Sequence, residues 1–124
     1  MKIDQKTAWD VRPFLKWAGG KTQLLNEFHQ RLPEEIKTGK ITQYAEPFIG
    51  GGAFFLSMNR HYSFERCMIC DVNEELILTY HVIKKAVRQL IEHLDMLESE
   101  YRSKDEHRRK LLYYDVRHEF NKKL

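Results

Sequence analysis

Apolar and polar positions follow two rhythms along this chain. Up to residue 70 the apolar stretches are short. Thr42 to Ala45 and Arg66 to Cys70 read as strands, with a helix from Ala53 to Arg60 between them. From Asn73 onward the apolar residues recur at helical spacing and no strand is visible. Asn73 is placed to cap a helix through Leu76, Ile77, Tyr80, Ile83 and Val87. A second pattern runs through Leu90, Ile91, Leu94, Leu97 and Tyr101, and a third through Leu112, Tyr113, Val116 and Phe120. Near the N-terminus, Leu24, Leu25, Phe28 and Leu32 share one side of an amphipathic helix that Pro33 ends, and Glu34 to Lys40 reads as a polar connection.

The first strand leads into Glu46 and Pro47, then a turn through Gly50, Gly51 and Gly52, then the apolar start of the next helix. Glycines at such a junction allow positive φ and close approach of a ligand, and the N–H groups of the new helix point the same way. Three glycines alone also make an ordinary tight loop. Asp71, at the end of the second strand and 21 residues after Gly50, changes the picture. In nucleotide-binding α/β folds a carboxylate at about this distance takes the ribose hydroxyls, although an Asp here also suits the capping of the next helix. The G-x-G-x-x-G pattern is not met, because Phe55 stands at its third glycine position. A nucleoside with a short, non-phosphate tail therefore fits better than a pyrophosphate cofactor.

Around the first helix, Gly20, Lys21 and Thr22 match the end of a phosphate-binding loop, but Leu15 occupies the position of its first glycine, which counts against a kinase or ATPase. Trp17 and Lys21 remain, beside a glycine pair at a helix start. An indole face can stack on a heteroaromatic ring and an ammonium can pair with a carboxylate; the bland alternative is a buried Trp and a solvated Lys.

Composition bounds the reading. With 124 residues, 42% apolar and 31% charged, the chain is one soluble domain's worth or part of one. It has no run long enough to span a membrane, and Lys2, Asp4 and Lys6 interrupt any leader-like segment, which points to the cytoplasm. Residues 1–75 carry 10 Lys plus Arg against 10 Asp plus Glu, and residues 76–124 carry 11 against 8, so the net charge of +3 lies entirely in the C-terminal part. That suits a polyanion, or simply solvated helix faces. Cys67 and Cys70 have no further cysteines with which to build a metal site and read as buried free thiols on opposite faces of a strand. The histidines at 29, 61, 81, 93, 107 and 118 lack ligand spacing and read as surface or satisfied core residues; no metal is expected.

Two parallel strands do not make a stable sheet on their own. The expected architecture is therefore an incomplete α/β, Rossmann-like domain over residues 1–75, followed over 76–124 by the start of a helical domain.

With these residues in view, the chain resembles the Dam-like, alpha-class adenine-specific DNA methyltransferases. PFLKWAGGK at Pro13 to Lys21, EPFIGGG at Glu46 to Gly52 and DVN at Asp71 to Asn73 appear in the family's order, with a weaker match at YYDVRHEFNK, Tyr113 to Lys122. The resemblance implies S-adenosylmethionine as cofactor, held by Trp17, Lys21, the turn Phe48 to Gly52 (Phe48, Gly50 and Gly52 foremost) and Asp71. It also implies duplex DNA as partner, with Lys16 as a DNA contact, and methyl transfer to the amino group of a flipped adenine. The family's D-P-P-Y motif is not present. The three prolines, Pro13, Pro33 and Pro47, are nowhere adjacent. No catalytic residue is therefore assigned, the 124 residues alone are expected to be inactive, and a complementary chain carrying the motif is a candidate partner. The alternative from another class is a non-catalytic DNA- or partner-binding module with a remnant cofactor pocket.

Overall fold

The computed structural model describes residues 12–19 and 21–123. The charges at residues 2, 4 and 6 and Gly20 of the glycine pair lie outside the described residues. The chain divides into two compact units, the first ending at Leu78 and the second starting at Thr79.

The first unit is a small parallel β–α–β arrangement, compatible with an α/β methyltransferase fold. A 3-10 helix, Lys21–Leu24, runs into α1, Leu25–Gln30, and a short helix α2 covers Glu34–Lys37. The last replaces the expected polar connection. Pro33 fixes an extended entry, Glu34 and Glu35 favour a helix N-terminus, and Gly39 at φ 75° stops the turn. Strand β1, Gln43–Glu46, pairs in parallel with β2, Arg66–Ile69, with Tyr44 opposite Cys67 and Glu46 opposite Ile69. Parallel strands need a crossover. Helix α3, Ala53–His61, supplies it and packs against α1 and the 3-10 helix.

The core is small: Leu25, Ile49, Ala53, Met58 and Leu76 are buried. An aromatic layer extends it. Phe28 meets Phe54 edge-on with centroids 5.0 Å apart, and Tyr44 lies among Phe54, Phe55 and Phe64. Among the described residues the sheet has two strands, and much of β2 faces outward. Cys67 and Cys70 are accordingly both exposed free thiols, and the expectation of burial is corrected.

His29 is a satisfied core histidine. Its Nε2 lies 2.7 Å from Ser57 Oγ and its Nδ1 3.4 Å from Tyr62 OH. Burial, and secondarily the neighbouring His61, lower its pKa. A group held neutral in the fold and free to protonate when unfolded makes stability fall as pH drops below the ordinary histidine value toward the lowered one. The urea midpoint is therefore expected to decrease from about pH 7 to about pH 5, and His29→Gln to flatten that dependence.

Beyond Asp71, Asn73 caps α4, Glu74–Arg102, by accepting from Leu76 N–H at 2.8 Å. The two helical patterns expected between residues 76 and 101 are two helical segments of α4, separated by a non-helical backbone at Ala86 (φ −144°, ψ 34°). The break lies at Ala86 rather than at Arg88 and Gln89, which are good helix formers. In the second unit, α5 covers Glu106–Asn121 and starts earlier than its apolar pattern. Asp105 caps it by accepting from Arg108 N–H at 2.9 Å. Arg109 folds back to the carbonyls of Tyr101 and Arg102, each at 3.0 Å, and over the Tyr101 ring. No helix among the described residues is long and apolar enough to cross a membrane.

Candidate functional site

The first unit carries a pocket of about 860 Å³ at the carboxyl ends of β1 and β2. Three separate stretches of sequence form it: residues 12–25, Glu46 to Phe54, and Asp71. Its size lies within the range of small-molecule sites, and its position, outside the carboxyl ends of parallel strands, is where open α/β sheets bind ligands.

The glycine turn is the floor. Gly50 and Gly52 have φ of 51° and 75°. At Gly50 an added Cβ would lie 3.2 Å from Trp17 Cδ1. At Gly51 it would lie 3.2 Å from the Leu15 carbonyl and 3.3 Å from Trp17 Cβ. These glycines serve close packing of the Pro13 to Trp17 segment as well as turn geometry. Trp17 is thereby placed against the turn with part of its indole open to the pocket, not buried in the core.

Asp71 closes the far side. Its Oδ2 accepts from Gly50 N–H at 3.0 Å and its Oδ1 from Asn73 N–H at 3.1 Å. Those two bonds, the Gly50 one first, hold its carboxyl below the usual range. The two readings of Asp71 are thus not exclusive. It braces the turn before α4 and also lines the pocket.

Lys21 is not a freely solvated lysine. Its Nζ donates to the Phe48 carbonyl at 2.9 Å and stands 3.8 Å from Glu46 Oε1. Glu46 was not singled out from the sequence as a site residue, yet it lines the pocket and is only 7% exposed. Burial raises its pKa, against the opposing pull of the Tyr44 hydroxyl, Lys21 and the Phe55 backbone N–H. The signal was available: a carboxylate ending a strand directly before a glycine turn has little room to reach bulk water. Phe48 is exposed at the rim, Gly52 lies in the floor, and Lys16 is exposed on the pocket wall. All seven residues expected from the sequence thus line one pocket. Among the described residues no group of His, Cys, Asp and Glu is placed to hold a metal ion.

This pocket lies on a small parallel β–α–β unit, an arrangement compatible with an α/β methyltransferase fold. A family model described as D12 class N6 adenine-specific DNA methyltransferase matches residues 17–124, and the chain belongs to that family. It is 50% identical over 113 residues to the type II methyltransferase M.MjaIII of Methanocaldococcus jannaschii, covering 91% of this chain and 39% of that protein. It is 42% identical over 92 residues to the type II methyltransferase M1.LlaDCHI of Lactococcus lactis subsp. cremoris, covering 74% of this chain and 29% of the relative. To the DNA adenine methylase of Vibrio cholerae it is 36% identical over 110 residues, 89% of this chain and 34% of that one. The chain thus spans well under half the length of these relatives. No solved structure matches it.

Proposed function

We propose that this chain forms the cofactor half-site of an adenine-N6 DNA methyltransferase that uses S-adenosylmethionine. The observation that supports the reading best is the convergence of Trp17, Lys21, the Phe48 to Gly52 turn and Asp71 on one pocket from three distant stretches of sequence.

The donor set suits such a ligand. Asp71, held ionised at the edge of the pocket, is equipped to accept from ribose hydroxyls. The indole of Trp17 and the ring of Phe48 offer apolar surface for an adenine. The Gly50 to Gly52 turn carries no side chains, which lets a tail approach its backbone closely. The Lys21 ammonium and the Glu46 carboxylate present opposite charges to a tail that carries both an ammonium and a carboxylate. When bound, the cofactor supplies a methyl group activated by a sulfonium. This chain's part is to bind and orient that group and to keep water from the apolar wall. Duplex DNA is the proposed partner, with Lys16 at the pocket wall and the basic helices after Thr79 as contacts. We read residues 1–75 as part of a Rossmann-like cofactor-binding domain and residues 76–124 as the start of a helical DNA-recognition domain. The setting would be the cytoplasm.

Calorimetric titration of the folded chain with S-adenosylmethionine tests the reading; saturable binding is expected, and its absence would refute the half-site. Without D-P-P-Y to hold a flipped adenine, the chain alone is expected to transfer no label from tritiated cofactor to duplex DNA. Transfer would be expected only on adding a chain that carries the motif, and label appearing without one would disprove this assignment.

A further inference from the structure

Beneath the pocket runs a chain of polar contacts that begins outside it. Tyr44, on β1, is not a pocket residue, and its ring is held by Phe54, Phe55 and Phe64. Its hydroxyl donates to Glu46 Oε2 at 2.5 Å. Glu46, on the same strand and buried, turns its other oxygen toward Lys21 Nζ, which in turn holds the Phe48 carbonyl at the head of the glycine turn.

We propose that Tyr44 is a positioning residue for the cofactor pocket: its hydroxyl fixes the Glu46 carboxylate in the orientation that keeps Lys21 at the turn. The inference rests on the reading of the pocket as a cofactor site, but its core concerns this chain's own side chains.

The physical argument is one of burial. A carboxylate this enclosed stays charged only if its oxygens are satisfied. Each one is addressed from a different element: Tyr44 from β1, Lys21 from the 3-10 helix, and the Phe55 N–H from α3. Two further titratable groups act on this cluster: Cys67 on β2 on the Tyr44 hydroxyl, and Asp71 on Lys21. Burial, with the bond to Glu46 second, pushes the phenol far above its usual range, so it remains a donor at any working pH. Removing that donor leaves Glu46 with less support for its charged form. Its protonation then moves to higher pH, and once protonated it no longer pairs with Lys21.

Tyr44→Phe keeps the ring and its aromatic packing and removes only the donor. Carboxyl-carbon NMR of Glu46 in the free chain should show its titration midpoint move upward in Tyr44→Phe, with the Lys21 Nζ resonance following the same midpoint. Affinity for S-adenosylmethionine should fall by less than about threefold near pH 8 and about tenfold at the acidic end of the folded range. Glu46→Gln, which cannot titrate, should bind with an affinity independent of pH over that range. An unchanged Glu46 midpoint, or a loss of affinity equal at every pH, would overturn the proposal, because a merely structural role moves neither quantity. If the wild-type chain binds no cofactor, the half-site reading is lost, and the two resonances alone decide whether Tyr44 positions Lys21.

Discussion

Replacing Asp71 by alanine is expected to weaken binding of S-adenosylmethionine about 100-fold. Two charge-assisted hydrogen bonds to the ribose would be lost together, partly offset because this exposed carboxylate competes with water for them. A second effect adds to the first, since Gly50 N–H and Asn73 N–H lose their acceptor and the turn loses its brace. Asp71→Asn should fall between wild type and alanine, because one carbonyl oxygen can serve one of the two backbone donors but not both. The pH dependence has a definite sign. A carboxyl held below its ordinary value contributes fully above that value, and its contribution is lost only as pH falls through the depressed one. Titrations at neutral pH and near pH 5 should therefore give the same Asp71→Ala deficit. A deficit under about threefold, or one that vanishes by pH 5, would remove Asp71 from the ribose site.

The largest effect on the fold itself is expected from Gly50→Val. The position has φ 51°, and a Cβ there meets the Trp17 indole at 3.2 Å. A left-handed conformation costs an L-residue roughly 1–2 kcal/mol, more for a β-branched one, and overpacking adds about 1 kcal/mol or more. A loss of about 3 kcal/mol should lower the melting temperature by about 10 °C or more in a chain of this size. Cofactor binding should vanish with it, because the valine displaces the indole that walls the pocket. Scanning calorimetry and titration on the same sample separate the two effects. A variant that melts like wild type would mean that the turn tolerates a side chain there and that Gly50 is not the constrained position.

Much of this site was legible without coordinates because its parts are local signals with fixed offsets. A strand that ends in a glycine turn and a second strand that ends in Asp71 place their carboxyl ends side by side once the strands pair in parallel, so the spacing alone predicted the neighbourhood of Gly50 and Asp71. Asn73 as a cap and the span of α3 were readable for the same reason. What the sequence did not disclose depends on how much of the sheet is covered. The thiols of Cys67 and Cys70 were placed inside because an apolar run usually means two covered faces, whereas in this two-stranded sheet the outer surface of β2 stays open. The position of Glu46 at a strand end before a glycine turn is legible, but its partners Lys21 and Phe55 come from two other elements and leave no mark in the local pattern. The apolar patterns divide between Val87 and Leu90, whereas the interruption of α4 lies at Ala86. Helical periodicity runs through Ala86 unchanged, and a distorted backbone at one alanine leaves no mark in the pattern of apolar positions.

The placement of Trp17 against the glycine turn also has an optical consequence. The chain has two tryptophans, Trp9 and Trp17. A Trp9→Phe variant would leave all indole emission to a ring that forms part of the pocket wall. An adenine stacked on that ring should quench it and shift its spectrum. Occupancy could then be followed on the millisecond scale by stopped-flow fluorescence, with no label, and the molecule would report its own binding kinetics.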